Sequence, residues 1–225
     1  MGTNLRPIRT SRSSTTLRIV LLADTHQLHR EVEVPDGDIL IHAGDFTMFS
    51  KNVSAIADFN NWLGELPHRY KIIVPGNHEY FLEADPSKRS MLTNALVLLN
   101  EGTEIEGLRI WGSPVTPLYS GAFGLSSSND RKQVYAQIPK DIDILITHGP
   151  PYGILDSVSH TGPHPGCREL FDAVVRVRPK LHVFGHVHGA HGILHTNQTN
   201  FVNAALLGSN GDLNQVPVLV RIVTI

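Results

Sequence analysis

The sequence predicts an α/β domain with mixed sheets, and three observations predict it. Apolar runs of strand length, such as Leu17 to Ala23, alternate with segments of helical spacing through the first half of the chain. The second half repeats the alternation and then closes on strands in succession, which requires antiparallel as well as parallel pairing. Each polar cluster rich in Asp, Asn and His follows directly on a strand-like run, at the carboxyl edge where open α/β sheets bind ligands.

Taken in order, Leu17 to Ala23 is apolar but for Arg18 and suits a strand buried on both faces, as does Asp38 to Ala43. Val53 to Leu66 carries Val53, Ile56, Ala57, Phe59, Trp62 and Leu63 near helical spacing, and Pro67 closes that helix. Tyr70 to Val74 is a third strand, ended by Pro75 and Gly76. Leu92 to Leu99 fits a short helix or a strand. Thr103 to Ile105, a turn at Glu106 and Gly107, and Leu108 to Trp111 form a hairpin. Pro114 to Ser128, rich in Gly, Pro and Ser, is expected to be a long loop. Ile142 to Thr147 is a strand and Pro150 to Pro165 a loop. Cys167 to Val177 is an amphipathic helix with Leu170, Phe171, Val174 and Val175 as its apolar face, stopped by Pro179. Leu181 to Phe184, Phe201–Val202 and Val218 to Val223 are further strands. No repeat and no second boundary interrupts residues 17–225, which read as a single domain.

Composition narrows the function. The 225 residues are 41% hydrophobic and 18% charged, enough for a full core. A net charge of −2 gives no basic field to hold a nucleic-acid backbone, so strong nucleic-acid binding is not expected and a small anion would have to be attracted locally. Cys167 is the lone cysteine, which rules out an intrachain disulfide and a thiolate zinc cluster. It is compatible with a reducing compartment, and the chain is expected to be cytoplasmic. No run of about 18 apolar residues offers a membrane span. Residues 1–16, with Arg6, Arg9 and Arg12 among Ser and Thr, have the composition of a transit peptide or of a disordered tail; the tail is favoured.

Five clusters carry chemistry: Asp24-Thr25-His26, Gly44-Asp45, Gly76-Asn77-His78-Glu79, His148-Gly149 and Gly185-His186-Val187-His188. In extended chain residues two apart face the same side, so Asp24 and His26 can face one ion, and His186 and His188 one site. Gly44 lets the backbone turn and bring the Asp45 carboxylate close. Asn77 adds an amide oxygen and His148 an imidazole. Asp24, His26, Asp45, Asn77, His148, His186 and His188 exceed what one zinc ion takes and suit two ions sharing a carboxylate. Two divalent ions outweigh Asp24, Asp45 and a bridging hydroxide by one positive charge, which a phosphate group satisfies. Such ions also make hydroxide available at neutral pH. His78, beside Asn77, is placed to protonate the leaving oxygen, and these two are the expected substrate contacts. Any one cluster alone is a common turn, cap or surface feature; the weight lies in all five occurring at strand ends. Of the other histidines, His42 and His182 lie within strands and are expected to be packed or hydrogen-bonded, and His68 to meet carbonyls at a helix end. The loop residues His160 and His164, together with His29, His191 and His195, are weaker candidates for the site.

In this order the five clusters resemble the calcineurin-like metallophosphoesterases, over roughly Leu17 to Val202. The resemblance implies a four-layer αββα sandwich with two central mixed β-sheets. It implies one ion held by Asp24, His26 and His188, a second by Asn77, His148 and His186, Asp45 as the bridge and His78 as leaving-group acid. Phe59 to Pro67, Thr147 to Pro151 and Arg178 to Gly185 are similar to the subgroup of metallophosphoesterase-domain-containing proteins 1 and 2, which resembles class III cyclic nucleotide phosphodiesterases. That implies a nucleotide phosphodiesterase, with manganese favoured over Fe, Zn, Ni or Mg. Some members of the subgroup carry glycine where His186 stands; this chain keeps the histidine. A phosphomonoesterase, including a phosphoprotein phosphatase, and a nucleotide-binding scaffold with low turnover are the alternatives. The expected partner is a small phosphate ester or nucleotide, and the oligomeric state is left open.

Overall fold

The computed structural model describes residues 14–49, 53–117, 121–157 and 162–224. In chain order the elements are β1 (Thr15–Leu22), β2 (Ile39–His42), α1 (Val53–Glu65), β3 (Tyr70–Ile73), α2 (Tyr80–Ala84), β4 (Leu96–Val97), β5 (Glu101–Ile105), β6 (Leu108–Ser113), β7 (Thr116–Pro117), β8 (Gly124–Leu125), α3 (Ser128–Ala136), β9 (Ile144–Thr147), α4 (Arg168–Val177), β10 (Leu181–Phe184), β11 (Gly192–His195), β12 (Asn200–Asn203) and β13 (Val218–Thr224). No helix among the described residues is long and apolar enough to cross a membrane.

Two mixed sheets organise the chain. The first runs β13-β1-β2-β3-β4, parallel except for β13; the second runs β11-β12-β10-β9-β6-β5, with the antiparallel strands β11 and β5 at its edges. Alternation along the strands decides what each face meets. Ile19, Leu21, Ile39 and Ile41 point across to Ile110, Ile144, Ile146 and Val183, forming the core between the sheets. Val20, Leu22, Leu40 and Ile73 point the other way, onto Ile56, Phe59, Trp62 and Leu63 of α1. Leu145, Phe184 and Phe201 meet Tyr135 of α3 and Leu170, Ala173, Val174 and Val177 of α4. The layers are therefore helix, sheet, sheet, helix, as the family resemblance implies. Strands fully buried on both faces explain the near-continuous apolar runs. Each fully buried Leu or Ile contributes about 1.5–3 kcal/mol to holding the layers together.

Several sequence expectations are corrected. Thr15 and Thr16, assigned to the tail, pair with Thr224 and Val223 in β1–β13, while residues 1–13 lie outside the described residues. The segment from Leu92 to Leu99 resolves to the short strand β4. Pro114 to Ser128 is not one loop: β7 and β8 pair within it and α3 begins at Ser128. Helix α4 is rotated from the expected face, because Phe171 and Val175 are exposed while Ala173 and Val177 are buried. It ends at Arg178, whose left-handed φ of 56° breaks the helix ahead of Pro179.

Candidate metal centre at the sheet edges

Strands β1, β2 and β3 of the first sheet run into Asp24 to His26, Asp45, and Asn77 with His78. Strands β9 and β10 of the second sheet run into His148, and His186 with His188. All eight residues thus leave carboxyl ends of parallel strands. The reason for their convergence differs from the extended-chain argument: Asp24, His26, Asp45 and His186 are left-handed, at φ 55°, 42°, 56° and 69°. Each such turn in a non-glycine residue costs about 1–3 kcal/mol and persists only where its surroundings hold it. Here Asp24 N–H donates to Gly44 O at 2.9 Å, His26 N–H to Asp45 O at 3.0 Å and Gly185 N–H to His148 O at 2.9 Å, lacing together the loops within each sheet. Two glycines make the approach possible. Gly44 has φ 104°, and a Cβ there would strike His148. A Cβ on Gly185 would overlap the Asp24 carboxylate.

The side chains form three overlapping groups whose ligand atoms lie within 4.8 Å of one another: Asp24, His26 and His188; His26, Asp45 and His78; Asp45, His148 and His186. Asp45 Oδ2 is central, 3.3 Å from His148 Nε2, 3.8 Å from His26 Nε2 and 3.8 Å from His78 Nε2. His188 Nε2 lies 3.4 Å from Asp24 Oδ1 and 3.3 Å from His26 Nε2. Asn77 Oδ1 is 2.8 Å from His148 Nε2 and 2.9 Å from His186 Nδ1. His186 and His188, though two apart, join different groups: His186 that of Asp45 and His148, His188 that of Asp24 and His26.

Hydrogen bonds to the backbone dictate which nitrogens face inward. His26 Nδ1 lies 3.3 Å from Thr47 O and His148 Nδ1 2.9 Å from Ala43 O. A carbonyl only accepts, so both Nδ1 atoms carry protons and both Nε2 atoms are turned to Asp45, His26 with a lone pair and His148 with a second proton that it holds beside the carboxylate. His78 is reversed. Its Nδ1 accepts the Phe49 N–H at 3.3 Å, which leaves the proton on Nε2 and aims it into the site.

Residues that sequence reasoning gave no role hold this arrangement. Glu79 is fully buried and accepts from Asp45 N–H (2.9 Å), Thr47 N–H (3.0 Å), Thr47 Oγ1 (2.8 Å) and Gly76 N–H (2.7 Å), tying the loop after β2 to the loop after β3. Beneath each sheet edge a buried histidine supports a threonine next to the cluster. Gly44 N–H donates to His42 Nδ1, so His42 donates from Nε2 to Thr25 Oγ1 at 3.0 Å. Thr147 Oγ1 donates to Gly149 O, so His182 Nε2 donates to Thr147 Oγ1 at 2.8 Å. The expectation that His42 and His182 are hydrogen-bonded is met. A sequence signal existed for both: a histidine inside an apolar strand followed by a motif.

Electrostatics sort the cluster into anions and neutral bases. Burial pushes Asp24 and Asp45 up, but the imidazoles around them outweigh it and hold both below the ordinary carboxylate value. Burial carries His186 and His78 down to about 4. His148 and His188 go the other way: burial pulls both down, yet the Asp45 and Asp24 carboxylates raise His148 to about 9, and the Asp24 hydrogen bond and charge raise His188 above the ordinary value. Glu79 is pushed up to about 7 by burial and the neighbouring Asp45.

The donor set fits divalent cations. Asp24 Oδ1 is buried with no hydrogen bond among the described residues, a cost that a cation would relieve. Asp45 Oδ2, Asn77 Oδ1 and the imidazole nitrogens crowd into one volume with more acceptors than protons. The mixed nitrogen and oxygen set is one that Mn, Fe, Zn, Ni and Mg use. The remaining histidines stand apart in hydrogen bonds of their own: His29 to Asp58, His68 to Pro35 O rather than to the end of α1, His164 to Asp156, His191 to Ala205 O and His195 to Asn200. His160 lies outside the described residues.

Comparison with known proteins follows the same line. The family model for the calcineurin-like phosphoesterases matches residues 17–190. Metallophosphoesterase domain-containing protein 1 of Homo sapiens is 37% identical over 233 residues, covering 92% of this chain and 71% of its own. A UPF0046 protein of Caenorhabditis elegans is 36% identical, covering 90% and 74%. A solved structure from Thermus thermophilus superimposes with a TM-score of 0.56 at 16% identity, covering 84% of this chain and 89% of that one, a likeness of fold.

Proposed function

The chain belongs to the calcineurin-like phosphoesterase family, a family of metal-dependent hydrolases, and from that premise we propose that it is a two-metal phosphodiesterase acting on nucleotide phosphodiesters such as cyclic nucleotides. The observation that carries the reading is Asp45 Oδ2, within 3.8 Å of imidazoles from both sheets and shared by two of the three groups. A carboxylate so placed suits a bridge. In this reading Asp24, His26 and His188 hold one ion, Asn77, His148 and His186 the other, with manganese the preferred metal. When bound, the ions supply Lewis acidity toward the phosphoryl oxygens and an activated water at neutral pH.

The chain's own residues then have distinct tasks. Asp24 and Asp45 neutralise part of the cation charge and leave a local positive excess, so a phosphate is drawn to this spot on a slightly acidic chain. Asn77 and His78 sit at the substrate's edge. His78 presents Nε2–H and is the hydrogen-bond donor to the leaving oxygen. His148 gives up its proton on coordinating, so metal uptake is linked to pH.

The test is hydrolysis of bis-p-nitrophenyl phosphate and of 2′,3′- and 3′,5′-cyclic nucleotides with Mn²⁺, before and after chelation, in the wild type and in His186→Ala. Chelation is expected to abolish turnover and the substitution to lower it by about 10²-fold or more, since even an outer partner of a metal ligand is worth 10- to 100-fold. Turnover that survives both overturns the reading.

A further inference from the structure

Phe49, in the loop after β2, is placed in a way the core does not explain. It is 50% exposed, and Met48 beside it is 51% exposed, whereas the core aromatics Phe46 and Phe59 are fully buried. Its φ of 49° lies in the left-handed region, a strained place for a bulky side chain that glycine or asparagine would occupy without difficulty. Its ring lies on the His78 imidazole, with centroids 3.6 Å apart and planes 25° from parallel, and Tyr80 stands 6.3 Å beyond. The chain thus holds an open aromatic face, in a strained conformation, against a neutral histidine whose proton is turned into the site.

We propose that Phe49 is a specificity-determining residue: a stacking platform that selects esters with a flat aromatic group on the leaving side. The proposal rests on the reading of His78 as donor to the leaving oxygen. The group attached to that oxygen must then continue away from His78 Nε2, and the surface lying on that imidazole is the Phe49 ring. Flat π-systems gain offset stacking there, while a small alkyl or bare sugar group gains little. Loss of a ring that merely props His78 would weaken all esters alike, so selectivity separates the two roles.

The experiment titrates the Mn²⁺-loaded full chain by calorimetry with phenylphosphonate and methylphosphonate, which share a headgroup, resist hydrolysis and differ in the ring. The wild type is expected to bind the phenyl compound about tenfold more tightly, Phe49→Trp to keep that ratio, and Phe49→Ala to bring it near one with methylphosphonate affinity little changed. A wild-type ratio near one, binding of neither compound, a ratio that survives Phe49→Ala, or equal losses for both compounds overturns the proposal. Hydrolysis of bis-p-nitrophenyl phosphate is followed in the same preparations. A Phe49-dependent ratio without diester turnover would overturn the phosphodiesterase reading alone; turnover with a Phe49-independent ratio would overturn this one alone.

Discussion

His26, His148 and His78 face the same carboxylate oxygen, yet the backbone orients their rings in opposite senses. Carbonyls of Thr47 and Ala43 draw the proton of the first two outward, whereas the Phe49 N–H holds the His78 proton inward. His26 Nε2 is thereby a base and His78 Nε2 a donor, while His148 Nε2 becomes a base once it sheds the proton it holds beside Asp45. This division predicts a leaving-group dependence. His78→Ala should lower kcat by about 10²- to 10⁴-fold for cyclic nucleotides, whose alkoxide must be protonated, and far less for bis-p-nitrophenyl phosphate, whose phenolate leaves unaided. Equal losses on both, measured as kcat in Mn²⁺, would remove His78 from the donor role. The motif residues themselves were legible in the sequence because each pairs a metal-binding side chain with a strand end. The tautomers were not, because they depend on carbonyls and N–H groups brought in from other loops. Glu79 was quoted in its motif without a role for the same reason: three of its four hydrogen-bond donors come from Asp45 and Thr47, more than thirty residues away.

At the scale of elements, β2 and β10 do the same thing on opposite sheets. Each is a buried apolar strand carrying one histidine, His42 or His182, that supports a threonine at the cluster. Burial pushes both imidazoles down to about 3, well below the ordinary value of about 6.5. The sign follows directly. Above about pH 6.5 both the folded and unfolded chains hold these groups neutral and stability is full; as pH falls toward 3 the unfolded chain takes up protons that the folded one refuses, and stability is lost. The slope reaches about 1.4 kcal/mol per pH unit for each histidine. His182→Gln keeps a donor for Thr147 but cannot titrate. Urea unfolding from about pH 6 to pH 4 should therefore show a slope shallower by about that amount; an unchanged slope would mean His182 is not held neutral. The strands were legible from their apolar runs, and α1 from its spacing. Helix α3 was not, since Ser128 to Ala136 is polar almost throughout and docks through Tyr135 alone among its buried residues. The expected face of α4 erred because Leu170 and Val174 are shared by either rotation, and Phe171 looked more apolar than Ala173. Only packing against Tyr135 and Leu145 decides between them.

For the whole molecule, the cluster is also a seam between the sheets. Asp24, His26, Asp45, Asn77 and His78 come from the edge of one sheet, and His148, His186 and His188 from the edge of the other. The apolar layer between the sheets extends to Ala23, Ala43 and Val74, and directly beyond it the polar residues begin. The sandwich was foreseeable in kind, from strand–helix alternation and from the resemblance, but strand order could not be read locally because β1 pairs with β13, at the far end of the chain. Cations held across this seam would add to the apolar core and to hydrogen bonds such as Ala23 N–H to Ala204 O and His186 N–H to Asp24 Oδ2 that already join the sheets, and would stabilise the whole fold by mass action. At a free Mn²⁺ concentration about a hundred times Kd the gain is about 2.7 kcal/mol per site, or a rise in Tm of about 5–10 °C for a chain of this size. Asp45→Ala removes the carboxylate facing both groups and should flatten that rise in a thermal melt with and without Mn²⁺. A conservative change on α4 far from the seam, such as Val175→Thr at an exposed position, should leave it intact. If Asp45→Ala melts with the wild-type increment, the cations are bound elsewhere and the two sheets are not joined through this carboxylate.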